Sequence, residues 1–208
     1  MAATSFRYLA LGDSYTVGEG VETKDSFPFQ LIQTLNEKLR GLEILFDDPV
    51  VIAKTGWTTS ELTNAISVSE LKGDFDVVTM LIGVNNQYRG LSLEDYKIEF
   101  ERLSATALNF TGNDALKVYV LSIPDWSATP FAASHNRSIV SFAIQRFNHV
   151  NRDISLKMGF HYLDITTGSR DALNDPSLVT LDQLHPSAAE YRKWSDQLAD
   201  VISKRFMH

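Results

Sequence analysis

Short apolar runs alternate along the chain with longer stretches in which apolar residues recur at helical spacing. The apolar runs predict five strands, at residues 6–12, 49–54, 75–83, 116–123 and 160–165. Apolar residues three or four positions apart predict helices around residues 31–39, 96–110, 139–154 and 186–206. Alternation of this kind is typical of βαβ units, which build a mostly parallel sheet with helices on both faces. The sequence therefore predicts an α/β fold, a three-layer αβα sandwich around a five-stranded parallel sheet.

Polar and potentially catalytic residues gather in the segments that follow these strands. The five segments begin DSYTVGEG, TGWTTSEL, VNNQYRG, PDWSATPF and TTGSRDAL, and the last of them runs on to DQLHPS. In open parallel sheets, ligands bind beyond the carboxyl ends of the strands. We therefore expect the functional site at this edge of the sheet.

Length and charge narrow the kind of partner. A chain of 208 residues with 44% apolar residues is long enough for one sizeable core, so we expect a single domain over residues 1–208. The net charge of -7 argues against nucleic acid or an anionic membrane as the main partner, because both need a basic surface. A small molecule fits this charge better.

Two absences from the sequence bear on chemistry and location. The chain has no cysteine, which excludes disulfides, thiolate nucleophiles and cysteine-based metal sites. No apolar run reaches the roughly 18 residues of a membrane span, and the N-terminus lacks the pattern of a secretory signal. We expect a cytoplasmic protein, or a periplasmic or secreted one if a signal peptide has been removed.

Ser14 is the first candidate catalytic residue. It follows the first predicted strand, where a hydroxyl on a strand-to-helix turn can attack a carbonyl carbon once a base removes its proton. Gly12 and Gly18 allow a tight bend there, and the N–H of Ser14 can donate to a developing oxyanion. A turn or helix-capping serine explains the same position equally well.

His185 is the strongest candidate for the base among five histidines. His149 lies in a helical pattern, His161 in a strand and His208 at the terminus, so surface or core roles suit them better. His135 lies in a loop and stays an alternative.

The surroundings of His185 suit a catalytic base. Asp182 precedes it by three residues and can hold one imidazole nitrogen, which leaves the other nitrogen to accept a proton. Pro186 and a capping box formed by Ser187 and Glu190 predict that the last helix begins within about one residue of His185. The positive end of that helix disfavours imidazolium, and a nearby carboxylate counters it. A solvated loop followed by a helix cap is the plainer interpretation of this segment.

Two further residues can bind an oxyanion. Asn85 follows the third strand and offers a side-chain amide, and Gly56 follows the second strand and offers an unobstructed backbone N–H. Each alone is an ordinary turn residue. Together with Ser14, Asp182 and His185 they supply the parts of an acyl-transfer site at the predicted edge of the sheet.

Four blocks of the sequence resemble the SGNH hydrolases, also called GDSL-type esterases and lipases. The blocks are GDSYTVG at 12–18, AKTGWTT at 53–59, GVNN at 83–86 and DQLHP at 182–186. The resemblance implies a flavodoxin-like sandwich with strand order 2-1-3-4-5 and hydrolysis of carboxylic esters without a metal or other cofactor. It implies Ser14 as nucleophile, His185 as base, Asp182 as the residue that orients it, and an oxyanion hole of Ser14, Gly56 and Asn85.

Two positions depart from the pattern of that family. Asn86 stands where the family commonly has Asp, and Lys54, Thr55 and Trp57 surround the glycine of the second block in place of small residues. The change at position 86 leaves the oxyanion donor Asn85 in place but alters whatever its neighbour supports.

The sequence defines the substrate less closely. Aromatic side chains after the strands can form a substrate pocket or can simply pack their loops; the candidates are Trp57, Tyr88, Trp126 and Phe131. The blocks fit acetylesterases, lysophospholipases and thioesterases alike, because they describe the reacting centre and not the pocket. Within this range we expect esters of small or medium acyl groups. The alternative is a non-catalytic module that binds a carbohydrate, a flavin or a phosphate, although the first loop lacks both the Walker and the Gly-x-Gly-x-x-Gly patterns.

Overall fold

Five parallel strands form the central sheet in the computed structural model, which describes residues 4–207. The strands of this part of the chain, numbered in chain order, are β1 Thr4–Phe6, β2 Tyr8–Gly12, β3 Ile44–Phe46, β4 Val50–Ala53, β5 Val77–Leu81, β6 Val118–Leu121 and β7 His161–Leu163. The central sheet has the order β4-β2-β5-β6-β7, and every neighbouring pair is parallel. Counted by their place along the chain, its strands have the order 2-1-3-4-5, which confirms the expected topology.

Helices follow the strands as the alternation predicts. They are α1 Ser14–Val17, α2 Phe27–Lys38, α3 Thr59–Val68, α4 Val84–Tyr88, α5 Leu93–Asn109, α6 Arg137–Lys157, α7 Thr166–Ser169 and α8 Ala188–Ser203. α2 packs against α8, and α5 packs against both α3 and α6. Because connections between parallel strands are almost always right-handed, these two groups of helices lie on opposite faces of the sheet. The three-layer α/β class is therefore confirmed. No helix within residues 4–207 combines the length and the apolarity that crossing a membrane requires.

The core lies between the sheet and its two helical layers. β2 and β5 are buried along their whole length, because a central strand covered on both faces has no solvent side. On one face, the ring of Phe27 in α2 packs against Tyr191 and Trp194 of α8, with centroid distances of 6.5 and 6.3 Å. On the other, the rings of Tyr96 from α5 and Phe147 from α6 lie 4.7 Å apart.

The start of the last helix differs from the prediction. α8 begins at Ala188, and although Ser187 holds the N-cap position, its side chain makes no capping hydrogen bond. The carboxylate of Glu190 instead accepts from the indole N–H of Trp194 at 3.0 Å. The predicted capping box is therefore wrong, because the buried indole takes the carboxylate that the box needs.

Two short strands lie outside the predicted pattern. β1 and β3 form a separate two-stranded parallel sheet in which Phe6 lies opposite Phe46. Each has only three residues, too few for a recognisable apolar run. The predicted apolar face of α6 is also too wide, because Ile139 in its first turn is 66% exposed.

Candidate active site

The carboxyl ends of the parallel strands bring the five predicted site residues together. Ser14 follows β2, Gly56 follows β4, and Asn85 lies in α4 just after β5. Asp182 and His185 lie in the loop before α8. Because all five strands run in the same direction, these segments meet at one edge of the sheet.

Ser14 opens the short helix α1 and is nearly buried, with 4% of its surface exposed. The preceding residue, Asp13, caps this helix, and its carboxylate accepts from the N–H of Tyr15 at 3.1 Å. Burial raises the pKa of Asp13 to about 7, although hydrogen bonds to backbone N–H groups act in the opposite direction. Asp13 therefore stays protonated to a much higher pH than an exposed carboxyl does.

Glycines fix the turn around Ser14 in two different ways. Gly12 is needed for space, because an added Cβ would lie 2.1 Å from Thr16 Oγ1 and 2.5 Å from the carbonyl oxygen of Leu81. Gly18 is needed for conformation as well as space, because it ends α1 in the left-handed region with φ +82° and an added Cβ would lie 2.4 Å from Ser26 Cβ. The chain can therefore turn sharply on both sides of the Ser14 hydroxyl.

A continuous series of hydrogen-bond contacts joins Ser14 to Asp182 through His185. Ser14 Oγ lies 3.0 Å from His185 Nε2. Across the ring, His185 Nδ1 lies 2.6 Å from Asp182 Oδ2. When Nδ1 carries a hydrogen and donates it to the carboxylate, Nε2 is left to accept the hydroxyl hydrogen of Ser14. In this arrangement an imidazole can deprotonate a serine hydroxyl.

Asp182 is surrounded by hydrogen-bond donors. Its Oδ1 accepts from the N–H of Leu184 at 2.8 Å, the N–H of His185 at 2.9 Å and the hydroxyl of Thr180 at 2.8 Å. Partial burial acts to raise the pKa of Asp182, but the hydrogen bonds from the His185 side chain and from these donors outweigh it and lower the pKa to about 2. The carboxylate is therefore ionised except in strong acid and can stabilise a positively charged imidazole.

The loop that carries Asp182 and His185 is closed by its own backbone. The N–H of Thr180 donates to the carbonyl of His185 at 2.8 Å, and the N–H of Ser187 donates to the carbonyl of Leu178 at 2.8 Å. The ring of Tyr15 packs edge-on against the imidazole, with centroids 5.8 Å apart. Backbone and side-chain contacts thus fix the imidazole over Ser14.

Three hydrogen-bond donors near the Ser14 hydroxyl are free to bind a substrate oxygen. Within residues 4–207, neither the N–H of Ser14 nor that of Gly56 donates to a protein acceptor. Asn85 Nδ2 donates to the carbonyl of Trp57 at 3.0 Å, which occupies one of its two hydrogens. Both Gly56 and Asn85 line the same cleft as Ser14.

The cleft over Ser14 has a volume of about 210 Å³ and mostly apolar walls. Tyr88, Trp126 and Phe131 line it, with ring centroids 5.6 to 6.4 Å apart. The fourth predicted pocket residue, Trp57, is not among the residues that line this cleft, and its side chain packs against the hydrophobic core.

The other described histidines lie away from Ser14. His149 pairs with Asp153 at 3.2 Å on the surface, and His161 stacks on Tyr119 with centroids 4.7 Å apart. His135 stacks against Phe131, with centroids 5.7 Å apart, and does not line the cleft. His208 lies outside the described residues.

Residues 10–193 match a sequence model of the GDSL-like lipase/acylhydrolase family. The chain belongs to this family. A comparison with curated proteins gave no match.

Solved structures share the fold of this GDSL-like chain at low sequence identity. LAE5, an alpha/beta hydrolase enzyme from the metagenome of Lake Arreo, Spain, has a TM-score of 0.72 and 15% identity over 98% of each chain. Axe2, an acetylxylan esterase from Geobacillus stearothermophilus, has a TM-score of 0.73 and 15% identity over 97% of this chain and 96% of its own. A lipase/acylhydrolase from Enterococcus faecalis has a TM-score of 0.69 and 18% identity over 96% of each.

Asn86 departs from the GDSL-like pattern and forms its own buried network. Its Oδ1 accepts from the N–H of Thr59 at 3.1 Å, and its Nδ2 donates to Thr59 Oγ1 at 2.7 Å. The hydroxyl of Thr59 in turn donates to the carboxylate of Glu99. A hydroxyl has a single hydrogen, so the amide at position 86 and the carboxylate at position 99 are complementary partners of Thr59.

Sequence reasoning missed three residues that support the site of this GDSL-like protein. Thr180 donates to Asp182, Arg89 donates to the carbonyl of Gly56, and Glu19 accepts from the hydroxyl of Thr55; none of the three carries a motif of its own. Arg89 had one usable signal: it follows Asn85 by four residues, a spacing that places two residues on the same side of a helix, and it lies at the C-cap of α4.

Proposed function

We propose that the protein hydrolyses carboxylic esters of small or medium acyl groups, with Ser14 as nucleophile, His185 as general base and Asp182 as the residue that orients the imidazole. The observation that carries this proposal is the series of contacts from Ser14 Oγ to His185 and on to Asp182, with separations of 3.0 and 2.6 Å. A helix-capping serine or a solvated histidine loop needs no contact between side chains 171 positions apart.

Acylation begins when Ser14 Oγ attacks the carbonyl carbon and His185 Nε2 takes the hydroxyl proton. The electron pair of the carbonyl bond moves onto oxygen, which gives a tetrahedral oxyanion, and the imidazolium lies beside the ionised carboxylate of Asp182. When the intermediate collapses, the bond to the alcohol oxygen breaks and His185 gives its proton to the leaving alcohol. Water then repeats the sequence on the acyl-enzyme, releases the carboxylic acid and restores Ser14.

The oxyanion is stabilised by donors that are already in place before the reaction. We assign this role to the N–H groups of Ser14 and Gly56 and to the second Nδ2 hydrogen of Asn85. Donors fixed in advance favour the transition state, and the loss of one typically costs about 10²–10³ in kcat.

The walls of the cleft support small or medium acyl groups as substrates. The rings of Tyr88, Trp126 and Phe131 offer an apolar surface in the cleft that Ser14 also lines. An activity panel from acetyl to palmitoyl esters tests this choice. Acetylated xylan belongs in the panel because Axe2 is an acetylxylan esterase, and a thioester separates ester from thioester hydrolysis.

Replacement of Ser14 by alanine tests the nucleophile. We expect Ser14→Ala to lower nitrophenol release from a short nitrophenyl ester by roughly 10⁴-fold or more, because the covalent step loses its oxygen. Ser104→Ala is the matched control, since Ser104 is also a buried serine but lies in α5, away from the cleft.

Two results would contradict the proposal, one against the assigned nucleophile and the other against ester hydrolysis itself. Activity retained by Ser14→Ala would place the nucleophile elsewhere. A wild-type protein that hydrolyses no ester in the panel would instead favour the non-catalytic binding module.

A further inference from the structure

The turn at residues 54–57 carries Gly56 and joins β4 to α3. The N–H of Trp57 donates to the carbonyl of Lys54 at 3.2 Å, which closes a β-turn. Of its two central residues, only Gly56 has a positive φ, at +85°. A positive φ at the third residue, with a negative φ at the second, is characteristic of a type II turn.

The type of this turn decides where the N–H of Gly56 points. Types I and II differ by roughly 150° in ψ of the second residue and by roughly 170° in φ of the third. These two dihedrals flank the peptide between Thr55 and Gly56. A change of turn type therefore reverses the Gly56 N–H while the ends of the turn stay in place.

Three contacts from neighbouring segments hold three consecutive residues of the turn. One comes from the loop after α1 and two come from α4 and its C-cap. The pairs are Thr55 with Glu19, Gly56 with Arg89, and Trp57 with Asn85. These contacts therefore stabilise the turn in addition to its own backbone hydrogen bond.

Arg89 contacts both the turn at 54–57 and the first turn of α3. Its Nη2 donates to the carbonyl of Gly56, and its Nη1 lies 3.4 Å from the carboxylate of Glu61. Glu61 in turn caps α3 by accepting from the N–H of Thr58 at 2.8 Å. A planar guanidinium can serve both acceptors at once, whereas a lysine ammonium presents a single nitrogen.

We infer that Arg89 is a positioning residue for ester hydrolysis, which holds the turn at 54–57 so that the N–H of Gly56 stays at hydrogen-bond distance from the oxyanion. The inference rests on the proposed function. Arg89 does not line the described cleft, and its side chain is 46% exposed, so it acts through the turn and not on the substrate. A displacement of about 1 Å in such a group can cost up to about 10² in rate.

Kinetics of an alanine variant test the effect on turnover. We expect Arg89→Ala to lower kcat about tenfold with KM unchanged, because the lost interaction forms only with the oxyanion. The kcat of Arg89→Lys should lie between those of the wild type and Arg89→Ala, and guanidinium ion added to Arg89→Ala should restore part of kcat. Arg192→Ala is the matched control: Arg192 has 48% side-chain exposure, pairs with Asp196 within α8 and should leave kcat unchanged.

A double-mutant cycle tests whether Arg89 acts through Gly56. An added Cβ at Gly56 meets no atom closer than 3.6 Å, so only the positive φ opposes Gly56→Ala. Gly159→Ala is matched in both respects, with φ +78° and a nearest atom at 3.6 Å. We expect about 10² loss of kcat for Gly56→Ala, none for Gly159→Ala, and little further loss when Arg89→Ala joins Gly56→Ala. A full tenfold further loss would overturn the inference.

A readout independent of catalysis separates this inference from the proposed function. The chain has 11 glycines, so ¹⁵N-glycine labelling gives a sparse spectrum in which the signal lost in Gly56→Ala identifies Gly56. In Arg89→Ala, the heteronuclear NOE of Gly56 should fall, which reports faster motion, while that of Gly159 stays unchanged. An unchanged Gly56 signal would overturn the inference, whereas a loosened Gly56 in a protein without esterase activity would contradict only the proposed function.

Discussion

At Asn86, the chemistry of the buried network depends on the placement of single hydrogens. The hydroxyl of Thr59 gives its hydrogen to Glu99, and Asn86 supplies the hydrogen that the Thr59 oxygen accepts. A carboxylate at position 86 would leave two carboxylates sharing one hydroxyl hydrogen at a site that is only 1% exposed. We expect Asn86→Asp to lower the free energy of unfolding by about 1–3 kcal/mol near neutral pH, measured by urea denaturation.

The pH dependence and a second substitution control this prediction. Burial raises the folded-state pKa of the introduced carboxyl above its unfolded value. The loss of stability should therefore be small in acid and should grow as pH rises from the unfolded-state pKa through the folded-state pKa. Glu99→Gln in the Asn86→Asp background should restore stability, because the glutamine amide can donate to Thr59. Equal stability of the wild type and Asn86→Asp at neutral pH would show that position 86 tolerates either group.

At the residue scale, the sequence indicates the proposed reacting groups better than the residues that support them. Ser14, Asp182 and His185 lie in short local patterns, so the sequence alone makes them candidates. Arg89 and Glu19 act through contacts with the turn at 54–57, and those contacts depend on how three separate loops meet. No local pattern encodes such distances.

At the element scale, buried strands and long amphipathic helices are predictable because burial repeats with a fixed period. Local capping is less so. Ser187 and Glu190 have the right residue types and spacing for a capping box, yet Trp194 takes the carboxylate of Glu190. Tertiary packing decides between two hydrogen bonds that the sequence allows equally.

Trp126, the first residue of the short helix Trp126–Ala128 after β6, lines the cleft. Buried Asp125 caps this helix and accepts from Ser141 Oγ at 2.6 Å and from Arg170 Nε at 2.9 Å. Trp126 itself is 4% exposed, and its indole N–H donates to Gln87 at 2.9 Å. A second, small cavity adjoins the cleft, and Tyr15, Trp126 and Leu184 line both.

Removal of the indole should therefore lengthen the acyl group that the cleft accepts. We expect Trp126→Ala to raise the ratio of kcat/KM for octanoyl over butyryl esters by about tenfold or more, since each buried methylene contributes about 0.8 kcal/mol. Trp126→Leu serves where the alanine variant is too unstable to fold. Phe131→Ala, which removes a ring that lines the cleft but not the second cavity, should leave the ratio unchanged. An unaltered preference in both Trp126 variants would mean that the acyl chain lies elsewhere.

At the scale of the whole molecule, the order of the strands is the feature that local patterns leave open. Alternation predicts a parallel sheet, but which strands become neighbours depends on contacts between distant segments. The order 2-1-3-4-5 was expected from the family resemblance and not from periodicity. It places the loop after the first strand of the sheet close to a loop near the end of the chain, so that Ser14 and His185 meet across 171 positions.

The two ends of the described chain meet at the opposite edge of the sheet. The ring of Phe6 in β1 lies 5.5 Å from that of Phe46 in β3 and 5.0 Å from that of Phe206. Next to Phe206, Arg205 donates to the carbonyl of Asp76, just before β5 begins, at 3.3 Å. This aromatic cluster therefore lies at the amino ends of the parallel strands, whereas the candidate active site lies at their carboxyl ends.

Phe206→Ala should separate stability from catalysis. The ring of Phe206 is half-buried and also packs edge-on against Phe46, with centroids 5.9 Å apart. We expect its removal to lower the free energy of unfolding by about 1–3 kcal/mol, through lost apolar burial and lost aromatic contacts, while kcat and KM stay unchanged. Phe206→Leu should cost less, because it keeps most of the apolar contact. A fall in kcat without a change in stability would instead show that the cluster is coupled to the cleft across the whole length of the sheet.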